Sequence, residues 1–281
     1  MSKPLVSIVT PSYNQAGYIS ETVESVKMQT YENIEHIIVD GGSNDNTQEI
    51  LSEYDENPSI RWVSESDDGQ ADAIRKGFAM SEGKILAWIN SDDLYVARDA
   101  VETIVNIFDS YPNVDVVSGD GMRLGQNGEY RKVLHKPRRY ANKTYLEKSD
   151  TLLQPATFWH YEVWDKVNIN PSYRYVFDWD LFAQMARRAN ILSISKVIAG
   201  YRIHEGSKTV SGRAERIREI RELTGKNLGQ SSWQYGLISL YYFGMIGANY
   251  LGEDISESFY KFMRKISLIV QYTLDRRVMS I

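Results

Sequence analysis

Apolar residues in the first 118 positions come in short runs, separated by polar stretches with helical spacing. Residues 5–10 form a run rich in β-branched side chains, the pattern of a buried strand. A turn-like stretch at 11–17 follows, and Val23 and Val26 place a helix over 20–29. Residues 34–39 predict a second strand that ends on Asp40. Gly41, Gly42 and Ser43 make a loop, and 44–46 cap a helix that runs to Tyr54. A third strand is expected at 60–64 and a helix at 70–80 that Gly83 ends. A fourth strand follows at 85–89, a helix at 99–110 and a strand at 114–118. Strands alternating with helices across short loops predict an α/β fold, a mainly parallel central sheet flanked by helices. Such sheets bind ligands at the carboxyl ends of their strands.

From Gly119 the alternation fades. Residues 120–133 predict a hairpin that turns at 125–128, and 152–160 a buried segment. A helix is expected at 177–188, and 191–201 reads as a strand pair or as one bent strand. Residues 213–221 are densely charged, and the remainder of the chain is helical and aromatic in pattern. The expected division is a catalytic domain over 1–210, with halves at about 1–118 and 119–210, and a helical C-terminal extension over 211–281.

Composition narrows the chemistry. A net charge of -5 argues against nucleic acid as a partner. The absence of cysteine excludes disulfides, thiolate metal sites and cysteine nucleophiles. The first residues lack a basic segment followed by a long apolar run, so no secretory signal is expected and the reading is cytoplasmic. The 19 tyrosines suit carbohydrate faces or simply fill core and rim.

Two strand ends carry reactive groups. At the first, Pro11, Tyr13 and Asn14 offer backbone amides and a ring, and Asp40 stands at the next strand end. A carboxylate there either accepts the imide N–H of a uracil or caps the turn at 41–43. The second is Asn90-Ser91-Asp92-Asp93, directly after the fourth strand. Adjacent carboxylates at a strand end call for a cation or solvent. Hard oxygen ligands suit Mg²⁺ or Mn²⁺, which would bridge the phosphates of a nucleoside diphosphate. Otherwise Asp93 caps the next helix and Asp92 is solvated.

These two stretches and their separation resemble the family 2 glycosyltransferases, which have the GT-A fold and invert the anomeric centre. The likeness covers residues 6–118, with looser matches later. It implies that Asp40 reads the base and that Asn90-Ser91-Asp92 stands for the family's Asp-x-Asp motif. Asp92 and, with it, Asp93 would then hold the metal. Asn90 departs from the motif, although an amide still hydrogen-bonds a ribose hydroxyl. Gln70 and Asp72 resemble a donor-binding variant segment. Asp178, in Phe177-Asp178-Trp179-Asp180-Leu181, matches the catalytic base, and Trp179 would line the acceptor site. Gln154, in 154–158, resembles the acceptor-side wall. His204, in the Arg-x-His segment at 202–204, would be a metal ligand, with Arg202 and Lys208 on the diphosphate. His36, His135 and His160 read as structural.

The resemblance implies transfer from a nucleotide-sugar, with UDP as the default base, to a saccharide or lipid-linked saccharide in polysaccharide or glycoconjugate assembly. The alternatives are a metal-dependent nucleotidyltransferase and a non-catalytic sugar-binding module. The loop after residue 10 lacks the Gly-rich, basic pattern that holds a triphosphate. At the C-terminal end, residues 235–251 are apolar and aromatic, and 255–277 predict an amphipathic helix edged by Lys261, Arg264, Lys265, Arg276 and Arg277. Such helices pack on protein, form a homodimer contact, or lie on an anionic membrane surface as a peripheral anchor.

Overall fold

The computed structural model describes residues 3–134, 146–147, 150, 152–208, 213–229, 233, 235–236 and 239–240. The chain separates into two compact units, Met1–Ser207 and Lys208–Ile281. In the first, the apolar runs become β1 (Val6–Ser12), β2 (Ile34–Asp40), β3 (Ile60–Ser64) and β4 (Ile85–Trp88). Between them lie α1 (Ile19–Lys27), α2 (Thr47–Ser52) and α3 (Gln70–Ala79), and α4 (Ala100–Ser110) comes after. All four strands pair in parallel, in the order β3-β2-β1-β4.

The sheet continues through β8 (Thr157–His160), β6 (Val116–Leu124), β9 (Ile191–Arg202) and β5 (Leu94–Tyr95), with β7 (Tyr130–Leu134) on β6. Here the pairing is mixed: β8 runs antiparallel to both β4 and β6, and β9 parallel to β6. The expected hairpin is β6–β7, turned at Gly128 with φ 79°. The segment at 191–201 is one long strand. Its register against β6 shifts around Asp120, so the bend is an irregularity in the ladder and not a break. β5 and α5 (Tyr161–Trp164) have two and four residues, too few to show a period in sequence.

Alternation along β1 explains how the layers form. Val6 and Ile8 join Ile104, Val105 and Phe108 of α4 in one core. Val9 points to the other face, where α3 lies. A Cβ on Gly77 of α3 would stand 2.4 Å from Val9 Cγ1, so glycine sets how closely this helix approaches the sheet. Aromatic rings extend the core beneath β4: Trp88 stacks on Phe177 and Phe182, the latter within 5° of parallel. Phe177 and Phe182 belong to α6 (Phe177–Ala186).

The second unit contains α7 (Arg213–Leu228). The expectations for 235–277 fall almost wholly outside the described residues. Among the described residues, no helix is long and apolar enough to cross a membrane.

Candidate active site

The carboxyl ends of β1 and β2 are tied to each other. Asn14, held at φ 52°, donates its N–H to Ser43 Oγ (2.7 Å) and accepts from Asn44 N at its Oδ1 (2.9 Å). Asn14 thus shapes the loop and has its amide oxygen engaged. Pro11 lies buried in β1, while Tyr13 is 57% exposed and offers its ring. Ser12 Oγ is buried with no hydrogen-bond partner among the described residues.

Asp40 differs from its expected role. It is fully buried; Oδ1 accepts from Ser43 Oγ (2.5 Å), and Oδ2 from Ser43 N (2.8 Å) and Ser64 Oγ (2.7 Å). The turn and β3 already satisfy the carboxylate that was expected to read the base.

The loop after β4 carries the densest arrangement. Asn90 is an amide junction: Oδ1 accepts from Gln70 Nε2 (2.7 Å), and Nδ2 donates to Asp93 Oδ2 and Gln154 Oε1 (both 3.1 Å). Gln154 is itself buried and donates to the Trp88 carbonyl (2.6 Å). Gln70, Asn90 and Gln154 therefore come together, but as a frame. The amide of Asn90 is engaged where a ribose contact was expected, and Gln154 is not an open acceptor wall. Ser91 is buried in the same loop.

Asp92 and Asp93 part company. Asp93 turns inward, where Oδ1 accepts from Arg202 N (2.9 Å). Burial, and then the charge of Asp92, hold its carboxyl well above the usual carboxylate range. Both oxygens being engaged, Asp93 is not placed to ligate an ion. Asp92 is half-buried instead, with Oδ2 3.0 Å from His204 Nε2.

Arg202, the last residue of β9, is likewise placed differently from the phosphate contact expected of it. Its side chain is 1% exposed, and each of its three nitrogens is engaged within the protein: Nε with the Asp92 carbonyl (2.8 Å), Nη1 with the Gln126 carbonyl (2.9 Å) and Nη2 with Glu21 Oε2 (2.6 Å). Lys208 is exposed and opens the second unit.

Asp72 lies in the first turn of α3, 3.4 Å from Lys76 Nζ and 3.9 Å from an Arg75 nitrogen. Those are contacts of a helix start. Asp178 occupies the first turn of α6 and accepts from Trp179 N (2.8 Å). Because Phe177 stacks on Trp88, two residues before Asn90, α6 begins beside the β4 loop. Trp179 is 2% exposed and donates its indole N–H to the Leu146 carbonyl (2.5 Å). It is a core residue where an acceptor-lining one was expected.

The family model described as Glycosyl transferase family 2 matches residues 7–162, more than half of the chain. The chain belongs to glycosyltransferase family 2. An uncharacterized glycosyltransferase of Rickettsia prowazekii is 29% identical over 232 residues, covering 78% of this chain and 70% of that protein. One from Rickettsia felis is 31% identical over 230 residues, but this chain spans only 36% of its length. Among solved structures, S. aureus TarS in complex with UDP-GlcNAc aligns over 98% of this chain and 92% of its own, with TM-score 0.65 and 14% identity. The mannosyltransferase PcManGT from Pyrobaculum calidifontis, in complex with GDP-Man and Mn²⁺, aligns over 98% and 84%, with TM-score 0.62 and 16% identity. At such identities the likeness is one of fold, and it agrees with a GT-A architecture.

Several residues around these loops escaped the sequence. A Cβ on Gly41 would stand 2.8 Å from Asp67 Oδ2, so the Asp67 carboxylate lies against the very strand end where Asp40 is buried. Asp67 Oδ1 accepts from Gly69 N (2.8 Å). Two glycines in a row after β2 were the available signal, because they leave room for a facing side chain. Tyr18 tilts its ring against His204 (centroids 4.5 Å) and lies under the Arg202 guanidinium (5.1 Å). Tyr18 adjoins α1 and Glu21 lies in it, and Glu21 is 181 residues from Arg202 in sequence, a contact that no local pattern announces.

Proposed function

We propose that this chain transfers a sugar, with inversion, from a nucleoside-diphosphate donor to an acceptor hydroxyl of a saccharide or lipid-linked saccharide, in polysaccharide or glycoconjugate assembly. The observation that carries this reading is the Asp92–His204 pair, 3.0 Å apart at the loop after β4. Sheets of this kind bind ligands at that end. The pair fits a divalent cation, since a carboxylate oxygen and an imidazole nitrogen are donors that Mn²⁺ or Mg²⁺ accepts. No cluster of three or more His, Asp or Glu among the described residues would hold an ion alone. Donor phosphates and water would complete the coordination. When bound, the ion neutralises charge on the leaving diphosphate.

Asp178 is the proposed general base. It takes the proton of the acceptor hydroxyl as that oxygen bonds to the anomeric carbon. The bond from that carbon to the phosphate oxygen breaks on the opposite side, and the diphosphate leaves with the electron pair. No covalent sugar–enzyme intermediate is required.

For the base, Tyr13 offers a ring face and Asp67 replaces Asp40 as the acceptor of an imide N–H. With Oδ1 engaged by Gly69, Asp67 presents one oxygen toward Gly41. One acceptor matches the single imide N–H of uracil better than the paired donors of guanine, so UDP is the favoured carrier. The nucleotide-sugars held by the TarS and PcManGT structures support the donor class.

The test is release of nucleoside diphosphate from UDP-, GDP- and dTDP-sugars without acceptor, in Mn²⁺ and in EDTA. Slow, Mn²⁺-dependent release of UDP is expected. Release of GDP instead would overturn the Asp67 argument. No release from any donor would sink the transferase reading.

A further inference from the structure

We propose that Arg202 is a positioning residue that holds Asp92 and His204 in register. Its backbone N–H reaches Asp93 Oδ1, and its side chain binds the Asp92 carbonyl, the Gln126 carbonyl and Glu21. Four parts of the chain thus meet on one side chain: β9, the loop after β4, the β6–β7 turn and α1. Its guanidinium carbon lies 5.1 Å over the Tyr18 ring, and Tyr18 packs on the His204 ring. Asp92 therefore leans on the guanidinium through its carbonyl, and His204 leans on it through Tyr18. The turn is shaped to join in: a Cβ on Gly128 would lie 3.5 Å from Arg202 Nη1, and φ 79° at that glycine brings the hairpin tip close.

Burying a guanidinium carries a desolvation cost that an apolar side chain of like size avoids. What the guanidinium adds is a rigid planar fork, which binds three separate acceptors at once. That is the property needed to fix two residues on different loops at 3.0 Å. Lysine keeps the charge but offers a single flexible nitrogen, so it cannot reproduce the fork.

The proposal rests on reading Asp92 and His204 as metal ligands, and the experiment separates the two. The full chain is titrated calorimetrically with UDP, GDP and dTDP, each in Mn²⁺ and in EDTA, and bound Mn²⁺ is counted by EPR. Arg202→Lys should lose about 10–100-fold of the Mn²⁺-dependent gain in nucleotide affinity, the range seen when support for metal ligands is removed. Affinity in EDTA should stay at the wild-type value. Glu21→Gln tests the same clamp from an exposed position and leaves the guanidinium an oxygen acceptor. It should lose about threefold of the gain, since a neutral acceptor bonds the guanidinium less strongly. If wild type shows no Mn²⁺ dependence, the metal reading fails and this proposal with it. If wild type shows it and both variants keep it in full, the positioning role alone is overturned. Equal losses in Mn²⁺ and in EDTA, with a lowered melting temperature, would make Arg202 merely structural and overturn it as well.

Discussion

The loops after β2 and after β4 look alike in sequence and do opposite things. Each follows a buried strand, each is rich in polar residues, and each carries aspartate. After β2, Asp40 is enclosed: Ser43 and Ser64 supply its hydrogen bonds from the turn and the neighbouring strand. After β4, the framing role falls to Asp93 and Asn90, while the half-buried Asp92 pairs with His204. The difference teaches that an aspartate at a strand end is a candidate for ligand chemistry only where its neighbours do not take up both of its oxygens. An acid whose oxygens all accept from the protein is part of the frame.

The sharpest way to test the Asp92 side is through the base that should act with it. Asp178→Asn keeps the shape of the side chain and removes its ability to take a proton. Turnover is expected to fall about 10²–10⁴-fold, the usual share of general-base catalysis, with nucleotide affinity unchanged. Near-normal turnover would remove Asp178 from the mechanism and point to Asp180, two residues on.

Next comes the β4 loop itself. Asp92→Ala should remove at least about 100-fold of any Mn²⁺-dependent nucleotide affinity, because a ligand is lost and not just its support. His204→Ala should act in the same direction and less strongly. Asp93→Asn should leave the metal dependence largely intact, since that residue is engaged elsewhere. If Asp93→Asn and Asp92→Ala behave alike, the division of labour between the two neighbours is wrong.

The β2 loop is tested by contrasting Asp40 with Asp67. Asp40→Ala leaves the buried Ser43 and the half-buried Ser64 without their acceptor and should destabilise the fold by about 2 kcal/mol in urea unfolding. Asp67→Ala should leave stability nearly unchanged and weaken UDP about tenfold, the loss of one hydrogen bond to a charged group. The reverse result would restore Asp40 as the residue that reads the base.

Much of this contrast was invisible in the sequence, for reasons that are physical. Apart from the two-residue β5, the strand-helix order through α4 was legible, because β-branched runs and helical spacing are local. The place of Asp92 on the loop after β4 was legible as a position, since a motif on one loop needs no partner to be read; the part it plays there is the one proposed above. What Asp40 and Arg202 do was not: their hydrogen bonds reach Ser64 in the next strand and Glu21 and Gln126 in distant segments. Trp179 failed likewise, since the same aromatic suits a sugar face and a core, and only the Leu146 carbonyl decides between them. β9 was ambiguous because its serines and Lys196 interrupt the apolar run, although its pairing with β6 continues past them.

The smallest expected effect concerns His36, in the middle of β2, and it asks whether this strand is built from internal partners alone. His36 is buried, and its Nε2 lies 2.8 Å from Thr10 Oγ1 on β1. Nδ1 is buried without a hydrogen-bond partner among the described residues. Burial pushes the imidazole down from 6.5 to about 3, so the folded chain keeps it neutral at every pH where the fold is useful. The unfolded chain protonates it near 6.5. As pH falls below that value the unfolded state takes up a proton that the folded state refuses. Stability is therefore full above about pH 6.5 and declines toward about pH 3. Between about pH 7.5 and about pH 5.5 the loss assigned to this one group is about 1.4 kcal/mol. His36→Gln keeps a polar partner for Thr10 and does not titrate. The measurement is urea unfolding of both proteins at the two pH values, read as the difference of differences, which cancels the other titrating groups. The wild type should lose about 1.4 kcal/mol more than the variant. Equal losses would mean that the folded chain accepts the proton, and that β2 has an outlet to solvent or to an acid that its hydrogen bonds do not reveal.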